Sequence, residues 1–449
     1  MTPTVHRSAR RRSVKKTERA FRQEERFLAP GAQSISINSR LVIDRAKGVY
    51  LTDLDGNTYL DFFSGVTVGS LGHCHPRYVA ALSEQLQKVT FGSFTTLNRI
   101  AFLKTLAAIA PGSLKRTQLY SGGAEAVEAA LRLAKAYTRR FEVIGFWGGF
   151  HGKTGGVLGL VGDRFKHEHG PMAPGLHLAP YANCYRCAFH ASFPECGFLC
   201  VEFLRKTIRH NTTGSVAAIL VEPIQGTSGN VTPPPGYLRE LAHVAKDCGA
   251  LLIADEMITG FGRTGTMFGV DHDRVVPDIM TLGKGMGGGF PVSALISSDE
   301  ILSAKPFSLP SASSSSYGGN PLAAAAARVT LETIISERLV ENSRKVGSWL
   351  LEHLAPCQEA YPFVGHVRGK GLMIGVELVR DQKSKQPLSS RACQWIFQEG
   401  LDAGIVLMIS ASALRINPAL VISQSEAEKG FDILNTLFKK IDKNRIHTS

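Results

Sequence analysis

A lysine set between glycines, Gly283-Lys284-Gly285, follows the apolar run Asp278-Ile279-Met280; upstream, a second apolar run, Ala250-Leu251-Leu252-Ile253-Ala254, ends in Asp255-Glu256. One strand delivering an acid and the next delivering a lysine into a glycine loop suit pyridoxal 5'-phosphate (PLP). The lysine amine can form a Schiff base with the cofactor's aldehyde. The acid can keep the pyridine nitrogen protonated, so that the ring accepts electrons. Glycine beside Lys284 permits close backbone approach. Taken alone, the tripeptide reads more readily as a flexible surface loop; the rest of the chain reverses that.

Three more strand ends carry candidate chemistry. Ser121-Gly122-Gly123-Ala124-Glu125-Ala126 follows Gln118-Leu119-Tyr120 and opens a helix, where free amides bind anions such as phosphate; an ordinary strand-to-helix turn would look the same. In Phe146-Trp147-Gly148-Gly149-Phe150-His151-Gly152-Lys153-Thr154, Phe150 is the candidate to lie against a planar ring, with a core aromatic as the alternative. His151 by itself reads more readily as a structural histidine than as a catalyst. In Val221-Glu222-Pro223-Ile224-Gln225-Gly226, a buried Glu222 needs a partner, either an arginine or a loop it caps, and Gln225 could hydrogen-bond a ring substituent. Met257, two residues past Asp255, shares its side of the strand and could face the ring. The pair Glu222 and Asp255 would also suit glycoside hydrolysis, but that leaves the glycine-lysine loop idle. No metal is called for. Side chains of the 62–68 stretch, Phe63 and Val66 among them, are expected to line the substrate entry.

These residues need a sheet to align them. Between about residues 95 and 335, apolar helices (about 97–110, 124–140, 200–209, 235–248) alternate with short strands (about 117–120, 142–147, 217–221, 250–254, 278–281, 292–297). Such alternation predicts an α/β fold with a mostly parallel central sheet flanked by helices, and ligands beyond the carboxyl ends of its strands. Before it, Asp55-Gly56-Asn57 marks a hairpin, and a helix runs from about Pro76 to Lys88. After an alanine-rich helix to about Ile335, strands near 365–368, 372–379, 405–408 and 414–417 and helices near 391–403 and 425–443 make a small α+β C-terminal domain. The expected division is a basic tail (1–30), an N-terminal segment packing with the small domain (31–76), a large domain (77–338) and the small domain (339–449).

At 449 residues, with 44% hydrophobic and 20% charged residues, the chain is globular in composition. No apolar run reaches the roughly 18 residues a membrane span needs. The net charge of +13 is concentrated where Arg7, Arg10, Arg11, Arg12, Lys15 and Lys16 crowd together. That cluster reads as a solvated tail, with a targeting peptide or a nucleic-acid arm as alternatives. It lacks a signal peptide's apolar core, so a cytoplasmic location is expected. Of eight cysteines, four form Cys184-x2-Cys187-x8-Cys196-x3-Cys200. Zinc ligation, a disulfide or a loop of reduced thiols all fit; the poor match to a zinc ribbon and the expected reducing compartment favour thiols.

The chain resembles the class III aminotransferases, the 4-aminobutyrate and ornithine transaminase family of fold-type I PLP enzymes. The resemblance covers about residues 35–435. It rests on Gly123-Ala124-Glu125-Ala126-Val127-Glu128, Phe150-His151-Gly152, Glu222-Pro223-Ile224-Gln225-Gly226, the run from Asp255 to Gly265, Gly283-Lys284-Gly285 and Gly318-Gly319-Asn320-Pro321, in the family's order and spacing. It implies that Lys284 is the Schiff-base lysine and proton shuttle and that Asp255 pairs with the pyridine nitrogen. It further implies that amides of Gly123 and Ala124 hold the phosphate, that Phe150 stacks on the ring and that Gln225 lies near its phenolic oxygen. Ser316 matches a position, usually Thr, that reaches the neighbouring subunit's cofactor, which implies a homodimer with shared sites. Arg415 matches the arginine that takes a substrate carboxylate through a bidentate fork.

Three departures bear on the substrate. Lys153 stands where the 4-aminobutyrate enzymes carry Arg, Thr227 replaces the Glu that gates the C-terminal arginine, and Met257 replaces Val. The expected reaction moves an amino group from an amino acid or amine to a 2-oxo acid such as 2-oxoglutarate or pyruvate, by a ping-pong cycle. A racemase on the same scaffold is the alternative, and a nucleic-acid binder on an inactive enzyme fold is the reading from another class. The intact Lys284/Asp255 pair argues against the latter.

Overall fold

The computed structural model describes residues 13–162 and 165–448. The arginines at 7, 10, 11 and 12 lie outside that range; Lys15 and Lys16 open a helix, Lys15–Glu24. Instead of trailing in solvent, the start of this helix is held by Asp55, whose carboxylate accepts from the amides of Lys16 (3.1 Å) and Thr17 (2.8 Å).

In chain order the strands are β1 (Ile43–Lys47), β2 (Tyr50–Asp53), β3 (Thr58–Asp61), β4 (Arg116–Tyr120), β5 (Glu142–Phe146), β6 (Leu176–Ala179), β7 (Val216–Val221), β8 (Leu251–Asp255), β9 (Ile279–Leu282), β10 (Ser293–Ser297), β11 (Val364–Lys370), β12 (Met373–Leu378), β13 (Ile405–Val406), β14 (Met408–Ser410) and β15 (Ala413–Ile416). The central sheet has the order β4-β10-β9-β8-β7-β5-β6. It is parallel except for β10, which runs antiparallel to both neighbours. The six strands expected from the sequence all belong to it; β6 was not foreseen.

Helices on both faces explain why a strand such as β7, Val-Ala-Ala-Ile-Leu-Val, is apolar and buried throughout. Alternate residues feed opposite faces, as the pleat requires. Ile219, Val221, Leu252, Ala254, Met280 and Leu282 join the core on one side, and Ala218, Leu220, Leu251, Ile253 and Ile279 the core on the other. Strands β4, β5, β7, β8 and β9 therefore end at one edge, and after each end comes one of the glycine-punctuated motifs.

A second sheet, β11-β12-β15-β14, is antiparallel and belongs to the C-terminal region; β13 instead joins the N-terminal strands in the order β1-β2-β3-β13. Both ends of the chain thus share a sheet. The fold is α/β, with a mixed central sheet and a small C-terminal sheet domain. The helix Leu339–Leu354, not among those expected from the sequence, opens the C-terminal region. It buries Leu339, Ser343, Val346, Gly347, Leu350 and Leu354, a helical spacing. Gly347 is obligatory there, because a Cβ would lie 2.1 Å from the Gly371 carbonyl oxygen.

Candidate active site

The ends of β4, β5, β8 and β9 surround a cavity of about 360 Å³, lined by Gly123, Ala124, Phe150, His151, Asp255, Met257 and Lys284 among others. Seven of the sequence-derived site residues therefore meet in one place. Lys284 sits immediately past β9 with φ +43, a left-handed conformation uncommon for a side chain of this size and a form of strain that collects at functional sites. Part of its surface opens to the cavity while its amine is enclosed by protein. That burial lowers the amine's pKa; Asp255 and Glu222 oppose the shift, and the Arg415 charge adds to it.

Asp255, 2% exposed, receives three donors. His151 Nδ1 lies 2.6 Å from Oδ2, Thr281 Oγ1 donates to Oδ1 (3.0 Å), and the Met257 amide donates to Oδ1 (3.2 Å). The His151 and Asp255 side chains are each 1% exposed. Burial pulls the His151 pKa down, but the Asp255 hydrogen bond and charge, with help from Glu222, leave it raised. His151 thus supports Asp255 besides lining the cavity. Glu256, next along the chain, points elsewhere and caps a turn through the amides of Gly269 and Val270 (2.8 Å each).

Glu222 caps a loop: its carboxylate accepts from the amides of Phe150 (2.9 Å) and Gly226 (3.1 Å), and burial pushes its pKa up to about 7. It fixes Phe150 from behind the cavity wall and is not part of the wall. Gln225 likewise lies outside the lining, with Nε2 donating to the Trp147 carbonyl (2.9 Å).

The remaining expectations divide. Arg415, on β15 and 1% exposed, donates from Nε to Asn230 Oδ1 (3.2 Å) and from a terminal nitrogen to Met408 Sδ (3.4 Å). It does not line the cavity, although its charge contributes to the lowering of the Lys284 pKa. Lys153 is exposed, with its amine over the Phe165 ring at 5.0 Å; that ring in turn meets Phe150 edge-on at 5.2 Å. Ser316 is exposed on its loop and away from this cavity.

Phe63 and Val66 do not line this cavity either. Ser64, Gly65, Val66 and Thr67 have φ of +45, +64, +60 and +67, four successive left-handed residues. Asp61 holds the turn by accepting from the amides of Phe63 (2.9 Å) and Ser64 (2.8 Å), and Ser64 Oγ donates to the Asn417 carbonyl (2.6 Å). The reversal brings Val68 to the cavity and turns Phe63 toward a neighbouring cavity of about 620 Å³ beside Met408 and Ile409.

Sequence reasoning missed Ser121, which stood in a quoted motif, and the stretch from Phe290 to Ser293, which lines the cavity because β10 turns back along β9.

The residues present fit PLP. Ser121 Oγ is a buried hydroxyl with no partner, at the start of a helix, Gly123–Thr138. Glu125 takes the amides of Ser121 (3.1 Å) and Gly122 (3.3 Å), which leaves those of Gly123 and Ala124 to meet an anion. The room for a flat ring is made by absent side chains: a Cβ at Gly123 would lie 3.3 Å from Met257 Sδ, and one at Gly283 2.6 Å from it.

A sheet edge that gathers a strained lysine of lowered pKa, a supported carboxylate and an anion-ready helix start defines a fold-type I PLP enzyme. The model of the family described as Aminotransferase class-III matches residues 32–438. Among relatives, a leucine/methionine racemase of Thermococcus litoralis is 32% identical over 90% of this chain and 92% of that protein. An acetylornithine aminotransferase of Methanothermobacter thermautotrophicus is 33% identical over 88% and 93%. An amine transaminase from an uncultivated Pseudomonas species, solved with PLP bound, superposes with a TM-score of 0.86 at 32% identity, covering 92% of this chain and 98% of that one. The chain belongs to the class III aminotransferases, and it is a PLP-dependent transaminase.

Proposed function

We propose that the protein transfers an amino group from an amino acid to a 2-oxo acid, with both substrates held by their carboxylate at Arg415. The observation that carries this is the cavity that brings Lys284, Asp255, Gly123 and Ala124 together; Arg415, a buried guanidinium on β15, is assigned the carboxylate because it matches the family's carboxylate-binding arginine.

PLP, when bound, supplies an aldehyde that takes up amino groups covalently and a ring that accepts electron density. The chain supplies the rest. The Gly123 and Ala124 amides, with Ser121 Oγ, would hold the phosphate. Phe150 and Met257 would pack against the ring. Asp255, supported by His151 and Thr281, would keep a proton on the pyridine nitrogen. Lys284 Nζ would anchor the cofactor and is the base placed to move a proton at the substrate α-carbon; burial lowers its pKa, which favours the unprotonated amine this requires. Glu222 and Gln225 act from outside the wall, by holding Phe150 and the Trp147 turn.

The working unit in this reading is a homodimer, with Ser316 reaching the second copy's cofactor. Its support is an exposed apolar run after the helix Pro76–Leu86: Phe91, Phe94 and Leu97 are 77%, 82% and 84% exposed, more apolar surface than a lone soluble chain usually leaves open. The domain division given above is retained in this reading, with the β3–β13 pairing as the reason for grouping 31–76 with the small domain.

The test is Lys284→Ala. Borohydride reduction of the wild-type holoenzyme should fix the cofactor on the peptide carrying Lys284, and the variant should lose both that label and turnover. A labelled peptide elsewhere, or turnover in the variant, refutes the assignment. Given the racemase among the relatives, an L-amino acid should be incubated without oxo acid. Inversion with no net oxo acid would favour the racemase reading.

A further inference from the structure

We infer that Asn230 is a positioning residue for substrate carboxylates and sets the edge of Arg415 that they meet; this rests on the proposed role of Arg415. Asn230 is completely buried and left-handed (φ +53), a conformation asparagine tolerates better than most residues. Every polar atom of its side chain is engaged. Nδ2 donates to the Ile374 carbonyl (2.8 Å) and to Asn417 Oδ1 (3.0 Å), and Oδ1 accepts from Arg415 Nε (3.2 Å). With both donors directed at acceptors, the amide orientation is determined and the oxygen must face the arginine.

An arginine takes a carboxylate either side-on, through Nε and one terminal nitrogen, or end-on, through the two terminal nitrogens. Asn230 holds Nε and so closes the side-on mode. Of the end-on pair, one terminal nitrogen donates to Met408 Sδ (3.4 Å), a weak acceptor that a carboxylate can displace, and the other lies 3.5 Å from where a Cβ on Gly226 would stand.

The backbone bearing Asn230 is itself clamped. Arg368 donates to the carbonyls of Gly229 (2.9 Å) and Asn230 (3.2 Å) and to Glu377 Oε2 (2.6 Å), and Arg186 Nε donates to Glu377 Oε1 (2.7 Å). Glu377, 4% exposed, thus joins two arginines from different parts of the chain. The loop that presents Asn230 cannot shift without breaking charge-assisted bonds.

An aspartate at the same place would keep the shape and set a built-in carboxylate on Arg415, in competition with substrate. The test is steady-state kinetics on holoenzyme of wild type, Arg415→Ala, Asn230→Ala and Asn230→Asp, with 2-oxo acid and amino-acid donor each varied. Loss of one hydrogen bond to a charged group predicts a KM about 10-fold higher for both carboxylate substrates in Asn230→Ala, with kcat kept within about 2-fold. Asn230→Asp should raise KM further, by about 100-fold, and Arg415→Ala should raise it at least as much. If Arg415→Ala leaves KM unchanged, the carboxylate role of Arg415 falls, and this inference with it. If Arg415→Ala raises KM but the Asn230 variants keep wild-type KM or lose only kcat, the site reading stands and the inference is overturned.

Discussion

Replacing His151 by Asn tests the buried pair that supports the site's acid. The 2.6 Å contact to Asp255 is one of three donors on that carboxylate, and both side chains are shut off from water. A hydrogen bond to a charged group contributes about 1.5–3 kcal/mol, and breaking a buried pair costs about 3–5 kcal/mol. Two donors to Asp255 survive, so we expect a loss of about 2–3 kcal/mol at pH 7. The sign of its pH dependence follows from linkage. The folded pKa of His151 is raised above its ordinary 6.5. Its proton-linked contribution is therefore complete below 6.5 and disappears as pH rises through the folded value. Glu256, raised to about 7, loses its contribution between its ordinary 4.5 and about 7 in wild type and variant alike; Glu222, also raised to about 7, is held down by the His151 charge, so its range moves up when the histidine is removed. Urea unfolding of both proteins in a Glu222→Gln background, followed from pH 6.5 upward, removes that overlap. The protein that keeps His151 should lose stability across that range faster than His151→Asn, so that the two curves converge. Parallel curves would show that no proton-linked stability resides in this pair, and the reasoning about how Asp255 is held would fail.

Two further outcomes follow from the geometry. Gly152→Ala would place a Cβ 2.3 Å from Ala124 Cβ at φ +116, at a cost of about 2–5 kcal/mol from overpacking and backbone strain together; because Ala124 stands at the phosphate end, the variant should shed PLP on gel filtration, and retention at the wild-type level would count against that placement of the phosphate. The double variant Phe94→Asp, Leu97→Asp should sediment as a monomer with impaired turnover if the exposed apolar run meets a second copy; an unchanged dimer would locate the interface elsewhere.

What could be read in advance depended on how each residue is positioned. Lys284, Asp255, Phe150 and Gly123 stand at or just past the ends of short apolar strands. There the pleat and the right-handed crossover leave few choices of direction, so type and spacing sufficed. Phe63 and Val66 were misplaced because four successive left-handed residues are not written in any hydrophobic period; they are imposed by Asp61 and by Ser64 reaching Asn417, a contact between distant parts of the chain. The lining from Phe290 to Ser293 was missed for a related reason. Only the antiparallel run of β10 against both β9 and β4 returns it to the site, and strand direction is a property of the pairing, not of Ser-Ala-Leu-Ile-Ser.

Glu222 shows the same limit from the opposite direction. A carboxylate before proline at a strand end was expected to seek an arginine or a loop, and it took the loop, through Phe150 and Gly226. That choice has a consequence for the site. An arginine partner would have held Glu222 ionised beside Asp255 and Lys284. With two amides alone, burial pushes its pKa up to about 7; the His151 charge opposes that rise and the Asp255 charge adds to it. The loop that carries Phe150 is thus held by a carboxylate whose charged form burial disfavours.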